Sequence, residues 1–179
     1  MRITSGAFSG IRLFEVKDKR TRMSLDRVRE SLFNSLRGTI EDKIFWDLFA
    51  GSGAVGIEAI SMGAKFVIFV EKRFDAINVI RKNLSVIKVD KEKFKIFKMD
   101  VFKFLKLSVE PKPDFIFLDP PYGKNLGKKT LEILSNSNII KDETIIIYER
   151  SKREEIEYCF SRYKTLRIGE TFIDFLRRG

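Results

Sequence analysis

Five short apolar runs, separated by segments of helical periodicity, restrict this chain to a layered α/β fold. The runs occupy residues 44–49, 66–70, 94–98, 115–118 and 144–148. Helical patterns fall between them at 55–62, 75–86, 102–107 and 126–134, and in the second of these Ile77, Ile80, Leu84 and Ile87 share one face. Apolar runs without alternation belong to strands covered on both sides, so repeated βα units predict a mostly parallel sheet. The end of the chain departs from this pattern. Residues 163–168 and 171–176 flank Gly169-Glu170 and read as an antiparallel hairpin, which brings the sheet to seven strands.

The N-terminal segment has a different character. Arg2-Ile3-Thr4 and residues 11–16 read as two strands around Gly6 and Gly10. A basic link follows, and then Leu25, Val28, Leu32 and Leu36 recur at helical spacing, with Ser24 as the expected N-cap and Gly38 as the stop. Nine Lys and Arg stand against four acids up to Arg37. Residues 1–38 are therefore expected to form a basic hairpin and helix, set on a core of residues 39–179 within one compact unit.

Composition narrows the chemistry. The chain has 35 Lys and Arg against 25 Asp and Glu, a net charge of +10 that favours polyanions such as nucleic acid. No apolar run approaches the roughly 20 residues of a membrane helix, so no membrane partner is expected. One cysteine, Cys159, forms no internal disulfide and fits a reducing cytoplasm. There is no histidine. Ser-His-Asp and Cys-His mechanisms are excluded on that ground, and no metal site is expected.

The first core strand runs into Asp47-Leu48-Phe49-Ala50-Gly51-Ser52-Gly53-Ala54-Val55-Gly56, a small-residue turn into a helix. Such a turn lets the backbone approach a ligand at a helix N-terminus. Gly51, Gly53 and Gly56 fit G-x-G-x-x-G, and Glu71 follows at the next strand end, where an acid can take both hydroxyls of an adenosine ribose. NAD and S-adenosylmethionine both satisfy this pattern. Asp47 favours the second, because it can anchor an ammonium and would repel a pyrophosphate. Asp100 is placed for an adenine amine. The expected cofactor contacts are Asp47, Phe49, Ala50, Gly51, Ser52, Gly53, Glu71, Lys72, Asp100 and Val101.

Asp119-Pro120-Pro121-Tyr122 follows the fourth strand, at the sheet edge where open α/β folds bind ligands. The prolines stiffen the turn. A carboxylate, the Pro120 carbonyl and a flat ring match a planar base that carries an exocyclic NH2, and Asp119, Pro120, Pro121 and Tyr122 are the expected catalytic group. Hydrogen bonds from the amine to Asp119 and to the Pro120 carbonyl localise the nitrogen lone pair. Tyr122 stacks on an extruded base.

These residues together resemble the class I S-adenosylmethionine-dependent methyltransferases, a Rossmann-like fold. Met1-Arg2-Ile3, Gly6, Gly10 and Leu25-Asp26-Arg27-Val28-Arg29-Glu30-Ser31-Leu32-Phe33-Asn34 narrow the resemblance to the RsmD family of bacterial 16S rRNA guanine-N2 methyltransferases, over essentially the whole chain. The resemblance implies one methyl transferred to the N2 amine of a single guanine, in 30S subunits or late assembly intermediates. A cytoplasmic monomer is expected. Arg2, Arg12, Lys19, Arg20, Arg22 and Lys124 are the expected RNA contacts. Arg27 and Arg29 join them, with the methionine carboxylate or plain solvent as the other readings of that pair. Three alternatives remain at this point: an adenine-N6 or cytosine-N4 DNA methyltransferase, an NAD oxidoreductase, or a non-catalytic RNA-binding protein that keeps a nucleotide pocket.

Overall fold

In the computed structural model, which describes residues 1–16, 22–121, 125–152 and 159–179, the apolar runs become five strands. These are β1 (Ile44–Leu48), β2 (Phe66–Glu71), β3 (Phe94–Lys98), β4 (Phe115–Leu118) and β5 (Ile145–Ser151). The closing hairpin is β6 (Ser161–Ile168) and β7 (Thr171–Arg177). The helices are α1 (Arg22–Ser35), α2 (Ala54–Ser61), α3 (Phe74–Val86), α4 (Val101–Phe104) and α5 (Leu126–Ser135).

One seven-stranded sheet results, in the order β3-β2-β1-β4-β5-β7-β6. Pairs from β3 through β5 are parallel, and β7 pairs antiparallel with both β5 and β6. The chain order reverses between β1 and β4, which opens a crevice at the carboxyl ends of those strands. Alternate residues feed two cores. Phe45, Phe117 and Ile147 pack on one face, while Trp46, Ile116 and Tyr148 pack on the other. Among the described residues, no helix is long and apolar enough to cross a membrane.

The N-terminal segment departs most from expectation. Its two strands reduce to a single bridge, Arg2 with Arg12. Ile3 N–H donates to the Ile11 carbonyl and Leu13 N–H to the Met1 carbonyl, both at 3.0 Å, but other backbone donors of the segment turn to the core. Thr4 N–H and Ser5 N–H both donate to Glu58 Oε1, at 2.8 and 2.7 Å. Phe8 N–H donates to Ser61 Oγ at 3.0 Å, and Phe14 N–H to Asn83 Oδ1 at 2.7 Å. Ile3, Leu13, Val28, Leu32 and Phe33 enter the same core as Phe45 and Phe117, so residue 38 divides no hydrophobic core.

Smaller differences follow local geometry. Ser24 lies inside α1 rather than at its cap. Phe49 leaves the strand because its φ is +68°, a left-handed value that ends β1 at Leu48. The helix expected at 102–107 is the single turn Val101–Phe104, capped by Asp100. Strand β5 continues three residues past Tyr148, since β7 pairs with Glu149, Arg150 and Ser151.

Glu58 holds the N-terminal segment to α2. It is fully buried and accepts from Thr4, Ser5 and Arg29 Nε, the last at 3.0 Å. Arg29 is itself 4% exposed. Removing one partner of a buried ion pair leaves the other charge uncompensated, so Glu58→Ala is expected to lose about 3–5 kcal/mol in urea unfolding. A loss in the range of an exposed pair, under about 1 kcal/mol, would show that this clamp does not hold the segment.

Candidate active site

Four successive strand ends present carboxylates to the crevice. Asp100 follows β3, Glu71 ends β2, Asp47 lies near the end of β1, and Asp119 follows β4. All four line one cavity of about 810 Å³. Phe49, Ala50, Gly51 and Ser52 form its floor between them, Lys72 and Val101 line it on the β2–β3 side, and Pro120 and Pro121 on the β4 side.

The glycine turn is shaped by its surroundings. Gly51 has φ +55°, and a Cβ built there would meet nothing within 4 Å. Its open side faces the cavity that it lines. Gly53 also has a positive φ, +75°, but a Cβ there would press on Ile80 and Phe69, and the residue stands behind the turn. At Gly56 a Cβ would come 2.3 Å from the Phe69 ring, so this glycine permits α2 to lie against β2. Of the three, Gly51 lines the cavity and the other two do not.

Backbone donors hold the acids in place. Glu71 Oε2 accepts from Gly51 N–H at 2.9 Å and Oε1 from Arg73 N–H at 2.8 Å. A carboxylate has about four lone-pair positions, so two remain for vicinal hydroxyls. Asp100 Oδ1 accepts from Phe102 N–H at 2.9 Å, which caps α4 and fixes the carboxylate at the cavity wall. Asp47 Oδ2 accepts from Gly56 N–H at 2.9 Å, and the side chain is 1% exposed. Burial pushes the Asp47 carboxyl up to about 7. The Gly56 bond works against that shift, while Asp119 and Glu71 add to it. Such a group calls for a positive partner. The set fits a ligand with a ribose and an ammonium, and it disfavours a pyrophosphate.

The expected RNA contacts divide. Arg2, Arg12 and Arg27 are exposed. Arg29 is not on the surface. Its guanidinium donates to Glu58 at 3.0 Å, to Asp26 at 3.1 Å and to the Arg2 carbonyl, and it lines the cavity. The guanidinium thus belongs to the cavity wall and not to the outer surface. Lys19 and Arg20, the side chain of Arg22, and also Tyr122 and Lys124, lie outside the described residues.

Three contributors escape sequence reading. Asn83 of α3 is fully buried, donates to the Phe14 and Ser52 carbonyls at 3.0 and 3.1 Å, and so ties the N-terminal segment to the glycine turn. Val28 and Leu32 of α1 complete one cavity wall. Glu149 of β5, 6% exposed, lines the cavity beside the Asp119 turn. An isolated acid in the apolar stretch of α2 was the one visible signal for Glu58, and Asn83 gave none.

Known proteins resemble this chain over most of its length. A family model described as Conserved hypothetical protein 95 matches residues 1–177. The chain is 35% identical to Ribosomal RNA small subunit methyltransferase D of Haemophilus influenzae, over 85% of this chain and 79% of that one. It is 32% identical to the Escherichia coli protein of the same name, over 83% and 74% of the two chains. The solved structure of the Escherichia coli yhhF protein superposes with a TM-score of 0.84 at 28% identity, covering 99% of this chain and 97% of that one.

The raised Asp47 carboxyl has a consequence for stability. The folded state keeps a proton that the unfolded chain has already lost, so the contribution is whole below 3.8 and declines as pH rises toward about 7. Asp47→Asn is expected to flatten that decline. Denaturant unfolding of both proteins between about pH 4.5 and about pH 7.5 measures it, and equal pH slopes would mean that Asp47 titrates as an ordinary carboxyl.

Proposed function

The chain belongs to the RsmD family, and from that membership we propose that it methylates the exocyclic N2 amine of one guanine in small-subunit 16S rRNA, with S-adenosylmethionine as donor. The observation that carries this reading is the Asp119-Pro120 turn, which opens on the same cavity as Asp47 and Glu71. A cofactor site and an amine site are thus continuous.

Glu71 would take the ribose hydroxyls, Asp100 the adenine amine, and Asp47 the ammonium, with Gly51 leaving room for the ligand. S-adenosylmethionine supplies an activated methyl group on a sulfonium. The protein's part is mainly placement, since holding the reactants in line replaces a bimolecular encounter. The Asp119 carboxylate and the Pro120 carbonyl hold the amine and localise its lone pair. Nitrogen becomes acidic as it gains carbon, so the proton leaves late, and Asp119 accepts or relays it. No histidine is required. Val28, Leu32 and the N-terminal segment cover one side of the cavity and exclude water.

Arg2, Arg12 and Arg27 are exposed on the segment that covers the cavity, and they would bear on the phosphate backbone. The substrate in this reading is the 30S subunit or a late assembly intermediate, met by a monomer in the cytoplasm. A DNA methyltransferase is the weaker reading, because the relatives at 32% and 35% identity are named as ribosomal RNA methyltransferases.

Tritiated-methyl transfer to 30S particles that lack the modification tests the proposal against duplex DNA, and label in DNA alone would overturn it. Asp119→Ala is expected to abolish turnover while cofactor affinity, read by calorimetry, stays near normal. Retention of most of the rate would refute amine activation by Asp119. Gly51→Val, which places a branched side chain at φ +55° on the open side of the turn, is expected to remove cofactor binding. Unchanged affinity in that variant would move the cofactor away from the turn.

A further inference from the structure

The amine-binding turn has a second carboxylate beside it. Strands β4 and β5 are parallel, with Leu118 level with Tyr148, so the next residues on each, Asp119 and Glu149, stand side by side. Phe117 and Ile147 point into the same core, which puts Asp119 and Glu149 on one face of the sheet. Neighbouring parallel strands lie about 4.8 Å apart. Both residues line the cavity; Glu149 is 6% exposed and Asp119 is half-buried, so neither is a free surface group. Methyl transfer as described uses only Asp119.

We propose that Glu149 is the residue that selects guanine, by accepting the ring N1–H next to the amine held at Asp119. This rests on the amine-methylating function proposed above and deepens it. The chemistry of the three amine-bearing bases decides the matter. In guanine the exocyclic amine has a ring N–H donor as its neighbour. In adenine the corresponding neighbour is the N1 acceptor, and in cytosine it is the N3 acceptor. An ionised carboxylate only accepts. Two carboxylates side by side therefore match two adjacent donors, which guanine alone presents. Adenine or cytosine would set a lone pair against Glu149, which is 6% exposed, and an unmatched acceptor beside a buried carboxylate is penalised.

The test uses 2-aminopurine, which keeps the 2-amine but has an unprotonated N1. Small-subunit particles are reconstituted on 16S rRNA ligated to carry guanine or 2-aminopurine at the acceptor position that mass-spectrometric mapping identifies. Wild-type protein is expected to prefer guanine in kcat/KM by about 10- to 100-fold, the range of one well-made base contact. Glu149→Gln, whose amide can donate to N1, is expected to bring the two substrates within a few-fold of each other. A merely structural role would lower both substrates by the same factor and leave the ratio unchanged. Equal use of the two bases by wild type, an unchanged ratio in the variant, or a folded variant inactive on both would each overturn the assignment. No transfer by wild type to guanine particles would instead overturn the proposed function itself.

Discussion

Asp47 accepts the Gly56 N–H from beneath the turn that joins β1 to α2, and it does so while 1% exposed. A buried acid of this kind is unfavourable when charged, and one backbone bond does not offset the loss of water. The fold tolerates it because the same bond fixes the start of α2 and thereby the path of residues 49–53. Phe49, Gly51 and Gly53 all take positive φ along that path. The strain and the buried charge occur together, and both sit where a ligand is proposed to bind. A cationic group arriving next to Asp47 would relieve the electrostatic part. A phosphate would worsen it.

The covering segment and the glycine turn are not independent parts. Asn83 bonds the carbonyls of Phe14 and Ser52, one from each. Glu58 joins Thr4 and Ser5 to Arg29, and it does so from the helix that the glycine turn begins. Any shift of the N-terminal segment is therefore felt at Ser52 and at α2, through buried polar bonds that are expensive to break. In the proposed function this links the surface that meets RNA to the site that holds the cofactor.

The sheet and its order of elements were legible because apolar runs and helical periods are properties of neighbouring residues. The carboxylates at strand ends were legible for the same reason. What could not be read depends on distant partners. Arg29 looks like the wet face of an amphipathic helix until Glu58, 29 positions away, takes its guanidinium. Arg2-Ile3-Thr4 has the composition of a strand, and Ile3 does pair with Ile11, but the Thr4 and Ser5 donors go to Glu58 of α2 and the pairing stops there. Gly51, Gly53 and Gly56 are alike in sequence, and only the packing of Phe69 and Ile80 tells the cavity-lining glycine from the two that serve helix placement. Glu149-Arg150-Ser151 reads as a polar loop, and it becomes strand because β7 returns alongside.

Three acids gather at one wall of the cavity: Asp47 on β1, Glu149 on β5, and Asp119, which follows β4 between them. Arg2, Arg12 and Arg27 are exposed outside it. A polyanion is attracted to the outer cations, but its phosphates are repelled by the inner acids. Groups that carry donors or positive charge, such as a base edge or an ammonium, meet the opposite preference. This arrangement makes it favourable for a nucleotide to leave its backbone at the surface and send only its base inward, as a base-modifying enzyme requires. The +10 net charge alone would not accomplish this, since it draws phosphates without directing them. In the proposed function, the acids at that wall are what convert attraction into orientation.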